Sequence, residues 1–160
     1  MSDVVYCIDT SSLIDLRRWR PFKSHPEVWK RLDGLIKQER LLAPSMVLQE
    51  LQRKDDALVK WGRKRTKMFR KNSSDIVERV QQILRRFPDL VDADQPTQSA
   101  DPFVVALALK EASELYAEEV IVVTEEKYAP GKARIPHVCE AYKLKYLTIH
   151  QVFLFEKLEF

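Results

Sequence analysis

VIVVTEE (Val120 to Glu126) is the stretch that decides the fold. Its first five residues are all β-branched, too few for a buried helix and too uniform for a half-exposed strand, so they predict a strand covered on both faces. VVYCI (Val4 to Ile8) has the same character and ends at Asp9. Leu41 to Ala43, closed by Pro44, predicts a brief strand, and Tyr146 to Ile149 a last one before a closing helix near Gln151 to Leu158.

Helical spacing fills the intervals. Leu13, Ile14 and Leu16 predict a first helix that Pro21 must stop, and His25-Pro26 opens a second carrying Val28, Trp29, Leu32, Leu35 and Ile36. Ser45 is placed to cap a third, with Val47, Leu48 and Leu51 on its core side and Glu50 off it. After Asn72-Ser73-Ser74, with Asp75 and Glu78 in capping-box spacing, Ile76, Val80, Ile83 and Leu84 form another apolar stripe, ended by Pro88. Asp89 to Ser99 is polar and predicts a loop. Ala100-Asp101-Pro102 then opens a long apolar helix over Phe103 to Leu115, and Pro136 begins one more after a loop from Lys127 to Arg134. Strands alternating with helices imply a mostly parallel sheet covered on both faces.

With 160 residues, 45% of them hydrophobic, and no low-complexity tract, the chain fits one globular domain over 1–160. The start, MSDVVYCIDTSSLIDL, lacks the basic and continuously apolar regions of a signal peptide, and no stretch approaches the roughly 20 apolar residues of a membrane span. A cytoplasmic protein with no membrane partner is expected. Cys7 and Cys139 form no CxxC pair and predict buried, reduced thiols. His25, His137 and His150 are scattered, which argues against zinc.

The net charge of +3 is unevenly spread. Between Arg53 and Lys71 lie nine cations, Arg53, Lys54, Lys60, Arg63, Lys64, Arg65, Lys67, Arg70 and Lys71, against Asp55 and Asp56, a local balance of +7 that leaves the remainder at −4. With Leu58, Val59, Trp61, Met68 and Phe69 interspersed, the segment predicts a basic helix with one apolar face, interrupted at Gly62, within a basic helical insertion at about 53–87. A charge run is ordinarily a solvated face. One of a single sign attracts a polyanion by counterion release, whatever its base sequence.

Four acids stand where an apolar strand ends or a helix begins: Asp9, Glu50, Asp101 and either Glu125 or Glu126. In parallel α/β sheets ligands collect beyond the carboxyl ends of the strands, where Asp9 and the Glu125-Glu126 pair belong. Each acid also has an ordinary reading, since Asp9 before Thr10-Ser11-Ser12 and Asp101 before Pro102 are good helix caps. Taken together in one cleft, carboxylates repel and raise one another's pKa unless a cation neutralises them. Oxygen-only ligands select Mg²⁺ or Mn²⁺, and one or two such ions can activate water and steady the charge on a phosphodiester.

The stretches YCIDTSSLI, PSMVLQEL, SADPFVVALAL and VIVVTEE, in this order and covering nearly the whole chain, resemble the PIN-domain ribonucleases, many of them toxins of the VapC type. The resemblance is closest to a PIN-like subgroup catalogued as a domain of unknown function, in which a strand ending in VT-x-E precedes an IPxxC segment, here Ile135 to Cys139. It implies a helix-rich three-layer α/β/α fold with Asp9, Glu50 and Asp101 as primary metal ligands, Glu126 as fourth acid, and Ser11 orienting the first aspartate or a metal-bound water. The usual T-x-D pattern puts Glu126 in register, whereas aligning Tyr128 with the family's aromatic would choose Glu125. The resemblance also implies a toxin of a toxin-antitoxin pair, with an antitoxin protein across its groove and frequent homodimers.

The expectation is therefore a metal-dependent endoribonuclease whose RNA substrate is held by the nine cations. A catalytically silent PIN-like module binding RNA or protein is the first alternative. A haloacid dehalogenase-type phosphatase is disfavoured, because Ser11 replaces the second aspartate of its D-x-D pair and no glycine-rich phosphate loop occurs among only three glycines.

Overall fold

The computed structural model describes residues 4–91, 99–114 and 119–158. Strand β1 (Val4–Ile8) leads through helices α1 (Thr10–Trp19) and α2 (Pro26–Lys37) to β2 (Leu41–Pro44). Helices α3 (Ser45–Lys54) and α4 (Asp56–Arg63) carry the chain to a two-residue edge strand, β3 (Phe69–Arg70). Helix α5 (Ser74–Arg86), a single 3-10 turn at Pro88–Leu90 and α6 (Asp101–Ser113) return it to β4 (Glu119–Val123). Helix α7 (Ile135–Ala141), β5 (Lys145–Leu147) and α8 (Ile149–Phe155) complete the order.

All five strands run parallel in the order β3-β2-β1-β4-β5. Helices flank the sheet in the expected three-layer α/β/α arrangement. Helix α6 lies against β1, β2 and β4 with α5 and α7 packed beside it, while α1, α3 and α4 form a second packed group. Strand β4 is buried from Val120 to Val123, and Tyr6, Cys7 and Ile8 beside it are fully buried. The chain steps outward from β1 to β2 and β3, then returns to β4 on the other side of β1, so the switch in direction falls between β1 and β4.

Cys7 and Cys139 are free and buried, as the sequence predicts. No described helix is long and apolar enough to cross a membrane. Residues 92–98 of the expected acidic loop, and Leu115 at the end of the expected long helix, lie outside the described residues. The closing helix starts two residues earlier than expected, because Thr148 and Gln151 cap it reciprocally: the Gln151 N–H donates to Thr148 Oγ1 at 3.2 Å and the Thr148 N–H to Gln151 Oε1 at 2.9 Å. Helix α5 is capped by Ser73, whose hydroxyl accepts from the Ile76 N–H at 3.3 Å, and Asp75 pairs instead with Arg79 at 2.7 Å.

The single basic helix expected over Arg53 to Lys71 is not formed. Helix α3 ends at Lys54, and Asp55 starts α4 by accepting from the Leu58 N–H at 3.0 Å while holding Arg17 at 2.7 Å. The chain leaves α4 after Arg63, buries Met68 completely and pairs Ala43 with Phe69 in β3. Local propensity favoured one helix; burial of Met68 and extension of the sheet edge override it. Gly62 does not interrupt the helix either, since it lies inside α4. A Cβ there would stand 2.8 Å from Leu48 Cδ1 and 3.1 Å from Phe69 Cε2, so the glycine permits close approach of α4 to α3 and β3.

Two glycine substitutions should therefore move stability in opposite directions. Gly62→Val is expected to cost about 2 kcal/mol by overpacking. Gly34→Ala, in α2 with nothing within 4 Å of the added methyl, should gain up to about 1 kcal/mol through helix propensity. Urea denaturation monitored by circular dichroism measures both, and equal effects of the two changes would contradict the packing argument.

Candidate functional site

The five-residue pairing of β1 with β4 ends at Ile8 opposite Val123, so Asp9 and Thr124 emerge side by side. The Asp9 N–H continues the ladder to the Val123 carbonyl at 3.0 Å. Its carboxylate then turns into the first turn of α1, accepting from the Ser12 N–H at 2.8 Å and the Ser11 hydroxyl, 2.9 and 2.8 Å from the two oxygens. Thr124 donates to the same carboxylate at 2.6 Å. Asp9 is 2% exposed. Burial pushes its pKa up to about 6, although the hydrogen bonds from Thr124, Ser12 and Ser11 all act to lower it. Asp9 thus caps a helix and is also an acid of the cleft.

Glu50 is expected off the core side of α3, yet it is only 8% exposed. It accepts a short hydrogen bond from the Thr10 hydroxyl through one oxygen and the Ala100 N–H at 3.1 Å through the other. The side chain therefore ties the start of α1 to the start of α6. Asp101 is the first residue of α6 rather than its cap, a position taken by Ala100, and its own N–H donates to Ser99 Oγ at 3.3 Å. Among the described residues nothing donates a hydrogen bond to the Asp101 carboxylate. Burial holds it well above the usual aspartate range, the charges of Glu126, Asp9 and Glu50 add to that rise, and Lys54 opposes it.

The two glutamates after β4 have different surroundings. Glu125 accepts from the Ser12 hydroxyl at 2.9 Å and the Ile149 N–H at 3.1 Å through one oxygen, which links α1 to the start of α8. Glu126 accepts from the Ile135 N–H at 3.1 Å, at the start of α7, and it is the strongest of the charges acting on Asp101. Its backbone N–H donates to Thr124 Oγ1 at 3.1 Å, which folds the turn toward Asp9.

Asp9, Glu50, Asp101, Glu125 and Glu126 line one open cleft of about 530 Å³ together with Ser11. Lys54 is the only one of the nine expected RNA-binding cations on its wall; Arg18 and Lys132 join it there. Arg65 is committed elsewhere, bridging Asp33 through two nitrogens at 2.5 and 2.9 Å and lying over the Trp61 ring at 4.6 Å. Arg70 reaches Glu39 at 3.7 Å, and with Lys71 it borders a separate hollow. Arg53, Lys60, Arg63, Lys64, Lys67 and Lys71 are exposed.

Sequence reasoning missed Thr10, Ser12 and Thr124 as carboxylate donors, and Arg18 and Lys132 as cleft cations. The hydroxyls were visible as Thr10-Ser11-Ser12 after the strand-end aspartate, a cluster richer than one cap requires. Nothing in the linear pattern distinguishes Arg18 or Lys132 from other surface cations.

Among the described residues, no three acidic, histidine or cysteine side chains are gathered closely enough to form a ready-made metal cage. The donor chemistry nevertheless suits a hard divalent ion, which needs only one or two carboxylates and keeps waters for the remainder. Asp101, half-buried among like charges and without a hydrogen-bond donor among the described residues, is the group such an ion would satisfy first.

The family model described as Domain of unknown function (DUF4411) matches residues 6–160. No curated protein sequence matches the chain.

The raised carboxyl pKa values make stability depend on pH. Folded Asp9 holds its proton more tightly than the unfolded chain, so its stabilising contribution is present at low pH and lost as pH rises from about 4 through 6. That loss is about 3 kcal/mol for a rise from 3.8 to about 6. Asp101 acts in the same direction. In chelator, the melting temperature should fall across this window, and Asp101→Asn should melt above wild type at neutral pH. A variant less stable than wild type under those conditions would contradict the account.

Proposed function

We propose that this chain, which belongs to the DUF4411 family, is a PIN-like endoribonuclease dependent on Mg²⁺ or Mn²⁺. The observation that carries this reading is the half-buried Asp101 carboxylate, which receives no hydrogen bond among the described residues and stands beside Asp9, Glu50 and Glu126 in a cleft that also holds Arg18, Lys54 and Lys132. A purely structural aspartate at that place would be paired or capping, because a carboxylate partly desolvated among like charges costs free energy.

Asp9, Asp101, Glu50 and Glu126 would hold the ion, with Glu125 the less suitable fourth acid because its bonded oxygen is shared between α1 and α8. Bound there, one or two ions supply a Lewis acid for phosphoryl oxygens and make a water acidic enough to attack at neutral pH. Ser11, Ser12 and Thr124 fix the rotamer of Asp9. Thr10 and Ala100 do the same for Glu50. Arg18, Lys54 and Lys132 bind the phosphates on either side of the reacting one, offsetting the field of the acids that would otherwise repel a polyanion. The exposed cations from Arg53 to Lys71 extend that attraction along the strand.

The resemblance further supports a toxin of a toxin-antitoxin pair working in the cytoplasm, with an antitoxin protein filling the cleft and a homodimer as the working assembly. The open spacing of the acids favours a second reading, a catalytically silent PIN-like module that binds RNA or a protein. Calorimetric titration with Mn²⁺ separates the two, since the silent module would take up no ion.

Purified protein should cleave RNA with Mg²⁺ or Mn²⁺ and lose that activity in excess EDTA. Asp9→Asn and Asp101→Asn should each reduce cleavage by at least about 100-fold, with melting curves showing the fold intact. Full activity of either variant, or of wild type in EDTA, would overturn the assignment.

A further inference from the structure

We infer that Tyr128, backed by His137, is a stacking platform for an unpaired base of the RNA strand whose backbone occupies the acidic cleft. This rests on the nuclease reading and adds a substrate class, single-stranded rather than duplex RNA.

Tyr128 is 58% exposed, although its ring is far from loosely held. It stacks on His137 with centroids 4.3 Å apart and planes 27° from parallel. His137 is itself pinned at both nitrogens. Nδ1 accepts from the Arg134 N–H at 3.1 Å, so the ring proton sits on Nε2 and donates to the Ala129 carbonyl at 2.6 Å. Two backbone hydrogen bonds therefore set the plane of the imidazole, and the imidazole sets the plane of the tyrosine. An aromatic ring left more than half in water contributes little to folding, but one held in advance binds a flat ligand at low entropic cost.

The loop that carries the platform is anchored at the cleft, although Tyr128 itself stands outside the cleft lining. Glu126, two residues before Tyr128, lines the cleft and accepts the Ile135 N–H at the start of α7, and His137 is the third residue of that helix. Lys132, four residues after Tyr128 in the same loop, lines the cleft as well. Between them Pro130-Gly131 turns the loop, with Gly131 at φ 109°, a value that disfavours any side chain. One short loop thus offers a cation for a phosphate and an aromatic face for a base of the same strand. Bases stack on tyrosine largely irrespective of identity, and a base inside a duplex has no free face to offer.

Cleavage kinetics with a labelled single-stranded oligoribonucleotide and its blunt duplex test this. Tyr128→Ala should raise KM for the single strand by about 5- to 150-fold, the range that loss of one stacked base produces, with kcat changed much less. Tyr128→Phe and Tyr128→Trp should keep KM near wild type, and the duplex should be a poor substrate for all. If wild type cleaves the single strand and Tyr128→Ala does so with unchanged KM, the platform is wrong while the nuclease stands. A Tyr128→Phe variant as impaired as Tyr128→Ala also overturns it, because the hydroxyl and not the ring would then be the contact. Wild type that cleaves no RNA with either metal overturns the nuclease reading and this inference with it.

Discussion

Because β1 and β4 pair in parallel from Val4 and Glu119 to Ile8 and Val123, both strands end at the same level and Asp9 leaves the sheet beside Thr124. Parallel pairing requires the intervening chain to cross over outside the sheet, so every element between β1 and β4 must be long enough to travel and return. The return is made by α6, whose first residue is Asp101, and α3 brings Glu50 from the step between β2 and β3. The switch of direction between β1 and β4 opens the crevice, and four separate segments place acids around it.

Such a cluster opposes folding. Desolvation raises the pKa values of both Asp9 and Asp101, and at Asp101 the charges of Glu126, Asp9 and Glu50 add to the rise. Hydroxyls and backbone N–H groups offset part of that cost at four of the acids: Thr124, Ser11 and Ser12 at Asp9, Thr10 and Ala100 at Glu50, Ser12 and Ile149 at Glu125, and Ile135 at Glu126. Asp101 has no such support among the described residues. The fully buried strands beneath, Tyr6 to Ile8 and Ile121 to Val123, supply the apolar burial that lets the fold tolerate a cluster of like charges at its edge.

The basic segment shows how tertiary demands divide a charge run. Its cations have at least three fates: Lys54 joins the cleft, Arg65 clamps Asp33 and Trp61, and Arg70 reaches toward Glu39 beside the edge strand. A continuous helix could not have done this. Asp55 breaks it by capping α4 and holding Arg17, and Gly62 lets α4 approach Leu48 and Phe69. The positive field outside the cleft is consequently carried by side chains on two helices and a turn.

Apolar runs and their punctuation determined, from the sequence alone, the parallel sheet, four of its strands and the positions of Asp9, Asp101 and the Glu125-Glu126 pair at element ends, whereas Glu50 lies within α3 and not at its start. Those features were legible because β-branched burial, proline stops and strand-end carboxylates are local signals that survive any tertiary context. The tertiary structure decided what depends on neighbours distant in the chain. The two-residue β3 carries no pattern of its own and exists because β2 offers an edge. Glu50 looked solvent-facing until Thr10 and Ala100 enclosed it, and Glu125 and Glu126 were equivalent in sequence until α8 and α7 each engaged one of them. Arg18 and Lys132 became cleft residues only when α1 and the loop after β4 were brought to the same crevice, since charge is written locally but the field is a property of the assembled surface.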